Sequence, residues 1–469
     1  MSSVKFSVVI PTRERAETLR HALSTCLNQK FDDYEIIVSD NHSSPPTRGV
    51  VEGLANEKVR YIRTSEPLAM SSNWDFAVAQ ASGEYIVLIG DDDALLPHAL
   101  STLDRVTNET SAKVVRWDPA YYTWPNFALA DQANYLRVPL GRGLREVSAL
   151  ESIRAVIEFR AVYTTLPMFY NAAIHRSIIS TLRQRTGRVF PHPLPDVYSG
   201  FAVAAVAGRY LSTNVPMSVA GQSGASNGIA VLFNRGRSGI DREFRDLNAR
   251  EGLRSDPRIP DLPVFPHVPV ADAFVSAKQI FFPDTAINLD RQKFIRGCLD
   301  NLRVHTQGEW DEALRLLRES LSDEPQLQSW FDIEFAHTPF RKLPPPRLQA
   351  NQLGYDGEYL HLNAANFGVA HVADAAELCE QLLNGSQEGA RFAGPLLQEM
   401  RRVLDERQTI IEMLKNECAA RLELIEKLDA RLRAIQRGGP FKRLARWVKQ
   451  RLNRFAFGIR TQIQHSRRR

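Results

Sequence analysis

Along the first hundred residues, short apolar runs alternate with segments whose apolar positions recur every three or four residues. Residues 5–10 (KFSVVI) form an apolar run that stops at Pro11 and predict a buried strand. Residues 15–29 place Leu19, Ala22, Leu23, Cys26 and Leu27 on one face, the pattern of an amphipathic helix. Residues 34–40 (YEIIVSD) predict a second strand, closed by the polar turn Asn41-His42-Ser43-Ser44-Pro45-Pro46. A helical stretch at 50–55 and a strand at 59–63 follow. Ser72 and Asn73 offer caps for a helix that reaches Ala81. Residues 84–90 (EYIVLIG) are as apolar as a central parallel strand, and they run straight into Asp91-Asp92-Asp93.

Strands alternating with helices predict an α/β fold with a Rossmann-like, mostly parallel sheet. Ligands of such sheets sit beyond the carboxyl ends of the strands. Those ends carry Pro11-Thr12-Arg13-Glu14, Asp40-Asn41 and Asp91-Asp92-Asp93, so three polar clusters are expected on one edge. Beyond residue 95 the pattern is mixed, strand-like at 113–117 and helical at 150–158. From about 233 to 394 it is mostly helical, with proline-rich breaks at 259–270 and 343–347. The expected partition is a sheet domain over 1–235, a mostly helical accessory region over 236–394, a coiled-coil-like helix over 395–437 and a basic tail over 438–469. The third segment has Leu397, Leu404, Ile411, Cys418, Ile425 and Leu432 at intervals of seven, with Met400, Leu414, Leu428 and Ile435 in the partner row. That seam predicts either pairing of two chains or one long helix packed on its own domain. In the tail, Phe441, Leu444, Val448, Leu452, Phe455, Ile459 and Ile463 make an apolar stripe among Lys and Arg, which suits an anionic lipid surface.

Charge sharpens this division. The net charge is +5, but residues 430–469 hold 13 Lys or Arg and no Asp or Glu, which leaves −8 on the preceding 429 residues. An acidic body with a basic end argues against nucleic acid as the partner and for an anionic one at the tail. No apolar run reaches the length of a membrane span and the N-terminus lacks a signal-like core, so the chain is expected in the cytoplasm, at the inner face of a membrane. Four scattered cysteines agree with a reducing compartment.

Three consecutive aspartates after a buried strand repel one another unless a cation sits among them. Helix capping uses one aspartate and leaves two unexplained. A hard divalent cation, Mn²⁺ or Mg²⁺, takes such oxygen ligands together with substrate phosphates. Further along, Asp196 precedes the apolar helical run 201–207, where it serves either as an N-cap or as a general base. The loop Gly221-Gln222-Ser223-Gly224-Ala225-Ser226-Asn227-Gly228 is rich in donors for phosphate oxygens, Ser226 and Asn227 among them, and reads equally as a linker. His192, between Pro191 and Pro193, is a lone loop histidine for which acceptor or metal contact is the less favoured reading.

The motifs at 8–15 (VVIPTRER), 35–41 (EIIVSDN), 81–86 (ASGEYI) and 90–93 (GDDD, with Pro97 after it) together resemble glycosyltransferase family 2, in that family's order and spacing. The resemblance implies a GT-A fold and an inverting mechanism with a nucleotide-diphosphate sugar as donor and a glycan or lipid-linked acceptor. By the same analogy Pro11, Thr12 and Glu14 line the nucleotide pocket, Asp40 accepts from the base, Asp91 faces the ribose, Asp92 meets the metal, and Asp196 is the base. Gly90 stands where many members carry an aspartate, so the division of metal binding among Asp91, Asp92 and Asp93 stays open. The setting it implies is bacterial surface polysaccharide or lipopolysaccharide synthesis. Two other readings stand beside it: a nucleotidyltransferase of related fold, disfavoured by the glycine-free loop after the first strand, and a non-catalytic scaffold, disfavoured by the intact aspartates.

Overall fold

The structure, a computed structural model, describes residues 4–127, 129–224, 239–335, 338–343 and 353–384, with isolated positions 413 and 427. The expected coiled coil and amphipathic tail lie outside the described residues.

The first strands follow the apolar pattern closely. β1 (Phe6–Thr12), β2 (Tyr34–Asp40), β3 (Val59–Arg63) and β4 (Tyr85–Leu88) form a parallel set in the order β3-β2-β1-β4. Every residue of β1 is buried, as a strand covered on both faces requires. β1 continues through Pro11 because it pairs with β2 as far as Thr12–Asp40. α1 (Ala16–Leu27) buries Leu19, Ala22, Leu23 and Cys26, the face its periodicity marked. α2 (Pro45–Glu52) starts earlier than expected, since both prolines occupy the first helical positions, where no N–H is needed. α3 (Met70–Ala79) also starts earlier, which puts Ser72 and Asn73 inside the helix rather than at its cap. Their side chains are used laterally: Asn73 Oδ1 accepts from Ser39 Oγ at 2.8 Å, and Ser72 Oγ accepts from Arg188 Nη2 at 2.7 Å.

After β4 the chain passes through β5 (Ala94–Leu95), α4 (Ala99–Thr110), β6 (Val114–Trp117), β7 (Ala120–Thr123), β8 (Tyr135–Pro139), β9 (Leu144–Ser148) and α5 (Ala149–Ile157). β10 (Ala172–His175), α6 (Arg176–Thr186), α7 (Pro195–Ala207), β11 (Arg209–Thr213) and β12 (Ser218–Gln222) come next. β10 runs antiparallel between β4 and β6 and turns the sheet into a mixed, eight-stranded one that ends with β11 and β9. A four-residue strand between two others has no sequence period of its own, and it went unforeseen. α7 is apolar on every side, with Phe201, Ala202, Val203 and Ala204 fully buried. Its small residues let α9 (His267–Phe281) lie close, and Phe201 meets Phe274 at 5.7 Å between ring centroids. Burial of one such phenylalanine contributes about 3 kcal/mol.

α8 (Gly239–Arg250) precedes α9, and α10 (Arg291–Leu302), α11 (Gln307–Glu319) and α12 (Pro325–Phe335) follow with a core of their own around Phe294, Trp310 and Leu317. The chain then returns to the sheets. β13 (Gly354–Tyr355) and β14 (Tyr359–Asn363) add to β8 in a second, six-stranded sheet, β13-β14-β8-β7-β12-β5. α13 (Val372–Asn384) packs on α1. Residues Met1–Ala390 form one compact unit. Region 236–394, expected as a helical accessory, is thus tied to the sheet domain by α9 on one side and by β14 and α13 on another. Among the described residues no helix is long and apolar enough to cross a membrane.

Candidate active site

β1, β2 and β4 are parallel neighbours, so the residues that follow them emerge at one edge. A cleft opens there. Pro11, Thr12, Glu14, Asp91 and Asp92 line it from the strand ends, with Met70 and Trp74 from α3, Tyr170 from the turn before β10, and Phe244 and Leu247 from α8.

The three aspartates differ in their surroundings. Asp91 Oδ2 accepts from Thr12 Oγ1 at 2.7 Å and Oδ1 from Arg15 Nη1 at 3.0 Å. Burial pushes its pKa up, Arg15 pulls it down and Asp92 pushes it up again, with a net rise. Burial likewise opposes the charge on Arg15, but Asp91 and Asp92 outweigh it and hold the guanidinium protonated. Asp92 Oδ2 accepts from Ser223 Oγ at 2.8 Å, and its main-chain oxygen accepts from Trp124 Nε1 at 3.1 Å. Asp93 takes no part in lining the cleft: Oδ2 accepts from the Gly90 N–H at 2.7 Å and Oδ1 from the Gly221 N–H at 2.8 Å. It ties the acidic turn to the end of β12, and burial beside Asp92 raises its pKa. The approach at Gly221 admits no side chain, since a Cβ there would lie 1.8 Å from the Asp92 carbonyl oxygen.

The loops after β1 and β2 are sewn together. Glu14 holds a left-handed backbone (φ 54°) and both carboxylate oxygens accept from Ser44, the N–H at 2.8 Å and the hydroxyl at 2.6 Å. Arg13 donates to the Asn41 carbonyl at 2.6 Å and pairs with Glu243 of α8, which draws that helix over the cleft. Asp40 is fully buried and is not among the residues lining the cleft. It accepts from the Ser43 N–H at 2.8 Å, from the Tyr61 hydroxyl, and from Arg63 at 3.3 Å. Its neighbour Asn41 lines the cleft in its place and bonds both main-chain groups of Leu68.

Asp196 lies in the first turn of α7, inside the helix, and Leu194 is the cap residue. Burial raises its pKa, against the backbone N–H groups of Val197 and Asp196 and the nearby His192. Asp196 is not among the residues lining the cleft. Burial, and then the charges of Asp93, Asp196, Asp92 and Asp91, push the hydroxyl of the cleft residue Tyr170 well up. His192 is buried, stacks on Tyr198 with centroids 5.5 Å apart, and has Asp272 3.1 Å from Nε2, though off the line of a hydrogen bond. It is a packing residue rather than a cleft residue. Ser226 and Asn227 lie outside the described residues.

Among the described residues no three His, Cys, Asp or Glu converge as a cage for a metal ion. A Mg²⁺ or Mn²⁺ completed by substrate phosphates needs only one or two carboxylates. Asp91 and Asp92, both oxygen donors facing the cleft and repelling each other, fit that demand.

Residues 7–157 match the family model described as glycosyl transferase family 2. They form a glycosyl transferase family 2 domain. Over 149 residues the chain is 34% identical to the GalNAc(5)-diNAcBac-PP-undecaprenol beta-1,3-glucosyltransferase of Campylobacter jejuni, covering 31% of this chain and 45% of that one. It is 36% identical over 102 residues to abequosyltransferase RfbV of Salmonella typhimurium, covering 21% and 31%. The chain therefore spans less than half the length of these curated relatives. The crystal structure of Staphylococcus aureus TarS 1–349 with UDP-GlcNAc superposes with a TM-score of 0.41 at 17% identity, over 70% of this chain and 88% of that one.

The matched family 2 segment holds the strand-end cluster but stops at the end of α5, short of Tyr170, Asp196 and α8. Sequence reasoning missed Arg15, Trp74, Tyr170 and the Arg13–Glu243 contact. Arg15 had a signal, a cation one turn after a strand that ends opposite three aspartates. Tyr170 and Glu243 had none, because their place depends on how distant segments pack.

Proposed function

We propose that the protein is a metal-dependent, inverting glycosyltransferase. It moves a sugar from a nucleotide diphosphate to a hydroxyl of a lipid-linked glycan acceptor in bacterial surface polysaccharide synthesis. The observation that carries this reading is the convergence of Thr12, Arg15, Asp91 and Asp92 at one edge of a family 2 domain.

Pro11, Thr12 and Glu14 form the wall for the nucleotide. Asp91, oriented by Thr12 and Arg15, accepts from the ribose. Asp40 and Asn41 hold the loops at the base end, Asp40 from one layer behind the surface. Asp92, with Asp91 beside it, holds the Mn²⁺ or Mg²⁺ that neutralises charge on the departing diphosphate. Asp93 fixes the turn through the Gly90 and Gly221 N–H groups. Ser226 and Asn227, three and four positions after Ser223 in the sequence, supply donors for the diphosphate oxygens in this reading. Asp196 takes the proton as the acceptor oxygen bonds to the anomeric carbon and the carbon–oxygen bond to the diphosphate breaks. The lipid-linked acceptor is supported by the undecaprenol diphosphate in the names of two relatives, from Campylobacter jejuni and Escherichia coli. In this reading the apolar stripe of 441–463, with the Lys and Arg around it, holds the enzyme peripherally at the inner face of the cell membrane, and the heptads at 397–435 pair two chains.

The test is calorimetry of full-length protein against UDP- and GDP-linked sugars, with and without Mn²⁺. One donor should bind, and bind tighter with the metal. Asp92→Asn should lose that metal-dependent gain and transfer with it, while unfolding as the wild type does. Turnover that survives both EDTA and Asp92→Asn rules out the metal-dependent reading.

A further inference from the structure

A second cavity adjoins the cleft. Phe244 lines both, one on either side of α8. The far wall of the second cavity includes Pro193 and Leu194, which lead directly into α7 and Asp196. Its other apolar walls are Leu253, Leu262, Val264 and Val268, so it differs in kind from the charged cleft beside it.

Polar residues interrupt the apolar lining: Asp241, Arg245 and Asp261, which pair with one another, Asp272, which accepts from the Asp256 N–H at 2.7 Å, and then Asn248 and Arg254. Asn248 is only 5% exposed, and its Oδ1 has no hydrogen-bond partner among the described residues. A buried amide left in that state calls for a donor from whatever enters. Arg254 stands at the rim, exposed, with no ion pair among the described residues. The neighbouring Arg245 is unlike it, held by Asp241 at 3.2 Å and Asp261 at 3.0 Å. With Asp241 and Asp261 held by Arg245 and Asp272 bonded to the Asp256 N–H, a largely apolar chamber with one waiting acceptor and one cation without an ion pair at its mouth is complementary to an amphiphile whose head is an anion.

We propose that this cavity is the acceptor side of the site and takes the apolar chain of a lipid phosphate. The phosphate meets Arg254, a head-group hydroxyl donates to Asn248, and the attached sugar passes Leu194 toward Asp196. This proposal rests on the transferase reading above and specifies its acceptor: an apolar chain close to the reacting hydroxyl.

The test uses the full chain and dodecyl phosphate below its micellar concentration, with methyl phosphate and uncharged dodecyl maltoside as comparisons. Dodecyl phosphate should bind saturably and more than tenfold tighter than methyl phosphate, because a tenfold gain needs only about two buried methylenes. Val268→Asp and Arg254→Glu should each weaken it about tenfold or more, and the affinity for the nucleotide-sugar donor with Mn²⁺ should stay within about twofold. Arg254→Glu alters an exposed position, so its effect is read on a folded protein even if Val268→Asp destabilises. Equal affinity for methyl and dodecyl phosphate overturns the proposal, as does wild-type affinity in both variants, which would mark adsorption to the basic tail. Maltoside binding as tight as dodecyl phosphate and indifferent to Arg254→Glu removes the phosphate from it. Intact dodecyl phosphate binding with no nucleotide-sugar binding would leave the cavity standing and sink the transferase reading instead.

Discussion

Asp196 and Asp91 are both buried carboxylates, but their surroundings differ in a way that separates their roles. Burial raises the pKa of Asp91 as it does that of Asp196, but both Asp91 oxygens are engaged by side chains, Thr12 and Arg15. Asp196 is flanked by backbone N–H groups and a field from His192, and burial wins, so its pKa rises above the ordinary aspartate value. A general base works only when ionised. Transfer should therefore fall as pH drops through that raised value and level off above it, with the acid limb of kcat displaced upward from the range of an ordinary aspartate. Asp196→Asn should erase that limb and lower kcat by ~10²–10⁴, while calorimetry finds donor affinity unchanged. A collapse of donor affinity in that variant would assign Asp196 to the donor pocket.

At the level of elements, the informative contact is α13 against the loop after α1 and the start of α4. Glu380 sits on α13, 9% exposed, and accepts from Lys30 Nζ at 2.9 Å and from His98 Nδ1 at 2.5 Å. Burial alone would raise its pKa, yet His98 and Lys30 bring it down to about 2. A depressed carboxylate stabilises the fold above its unfolded pKa, near 4.5, and the contribution disappears as pH falls toward 2. Glu380→Gln should cost about 2 kcal/mol near neutral pH and a smaller but measurable amount at pH 3, where the folded carboxylate is still ionised, read by denaturant unfolding at both. Hydrogen exchange should place the loss in α13 and the adjoining end of α1. Sequence patterning marked residues 372–384 as helical within a long weak region, but nothing in it named Lys30 as a partner 350 positions away.

For the whole molecule the dominant fact is the division of charge, −8 before residue 430 and 13 cations with no acid after it. An acidic body is repelled by an anionic leaflet, so the membrane attachment proposed above rests on the tail, where each Lys or Arg near the surface would contribute ~1 kcal/mol. Truncation after Gln436 should release the enzyme from vesicles rich in anionic lipid, in a flotation assay, and leave transfer to a soluble acceptor intact. Flotation of the full chain should fall as salt rises, since the attraction is screened over ~10 Å at 0.1 M. A truncated protein that still floats would assign membrane contact to the body. Paired tails, if residues 397–435 join two chains, would reinforce one another, and sedimentation of the full chain against the truncation at Gly394 reads that pairing.

The parallel half of the sheet, the helices between its strands and the edge where Pro11, Thr12, Glu14, Asp91 and Asp92 gather were all legible in the sequence. They are set locally: a fully buried strand must be apolar throughout, an amphipathic helix must repeat every three to four residues, and parallel strands must end on the same side. Asp93 shows where local information stops. Three adjacent aspartates read alike, and only the approach of Gly221 from β12 turned one of them into a hydrogen-bonded brace. The same holds for Asp40, drawn behind the surface by Tyr61 and Arg63, and for Tyr170, which shares its surroundings with Asp196 across a helix and a strand. Contacts between segments far apart in the chain leave no period in either one, because each residue involved is chosen for its partner and not for its neighbours. Tertiary packing alone decided which carboxylates face the cleft and which hold it together.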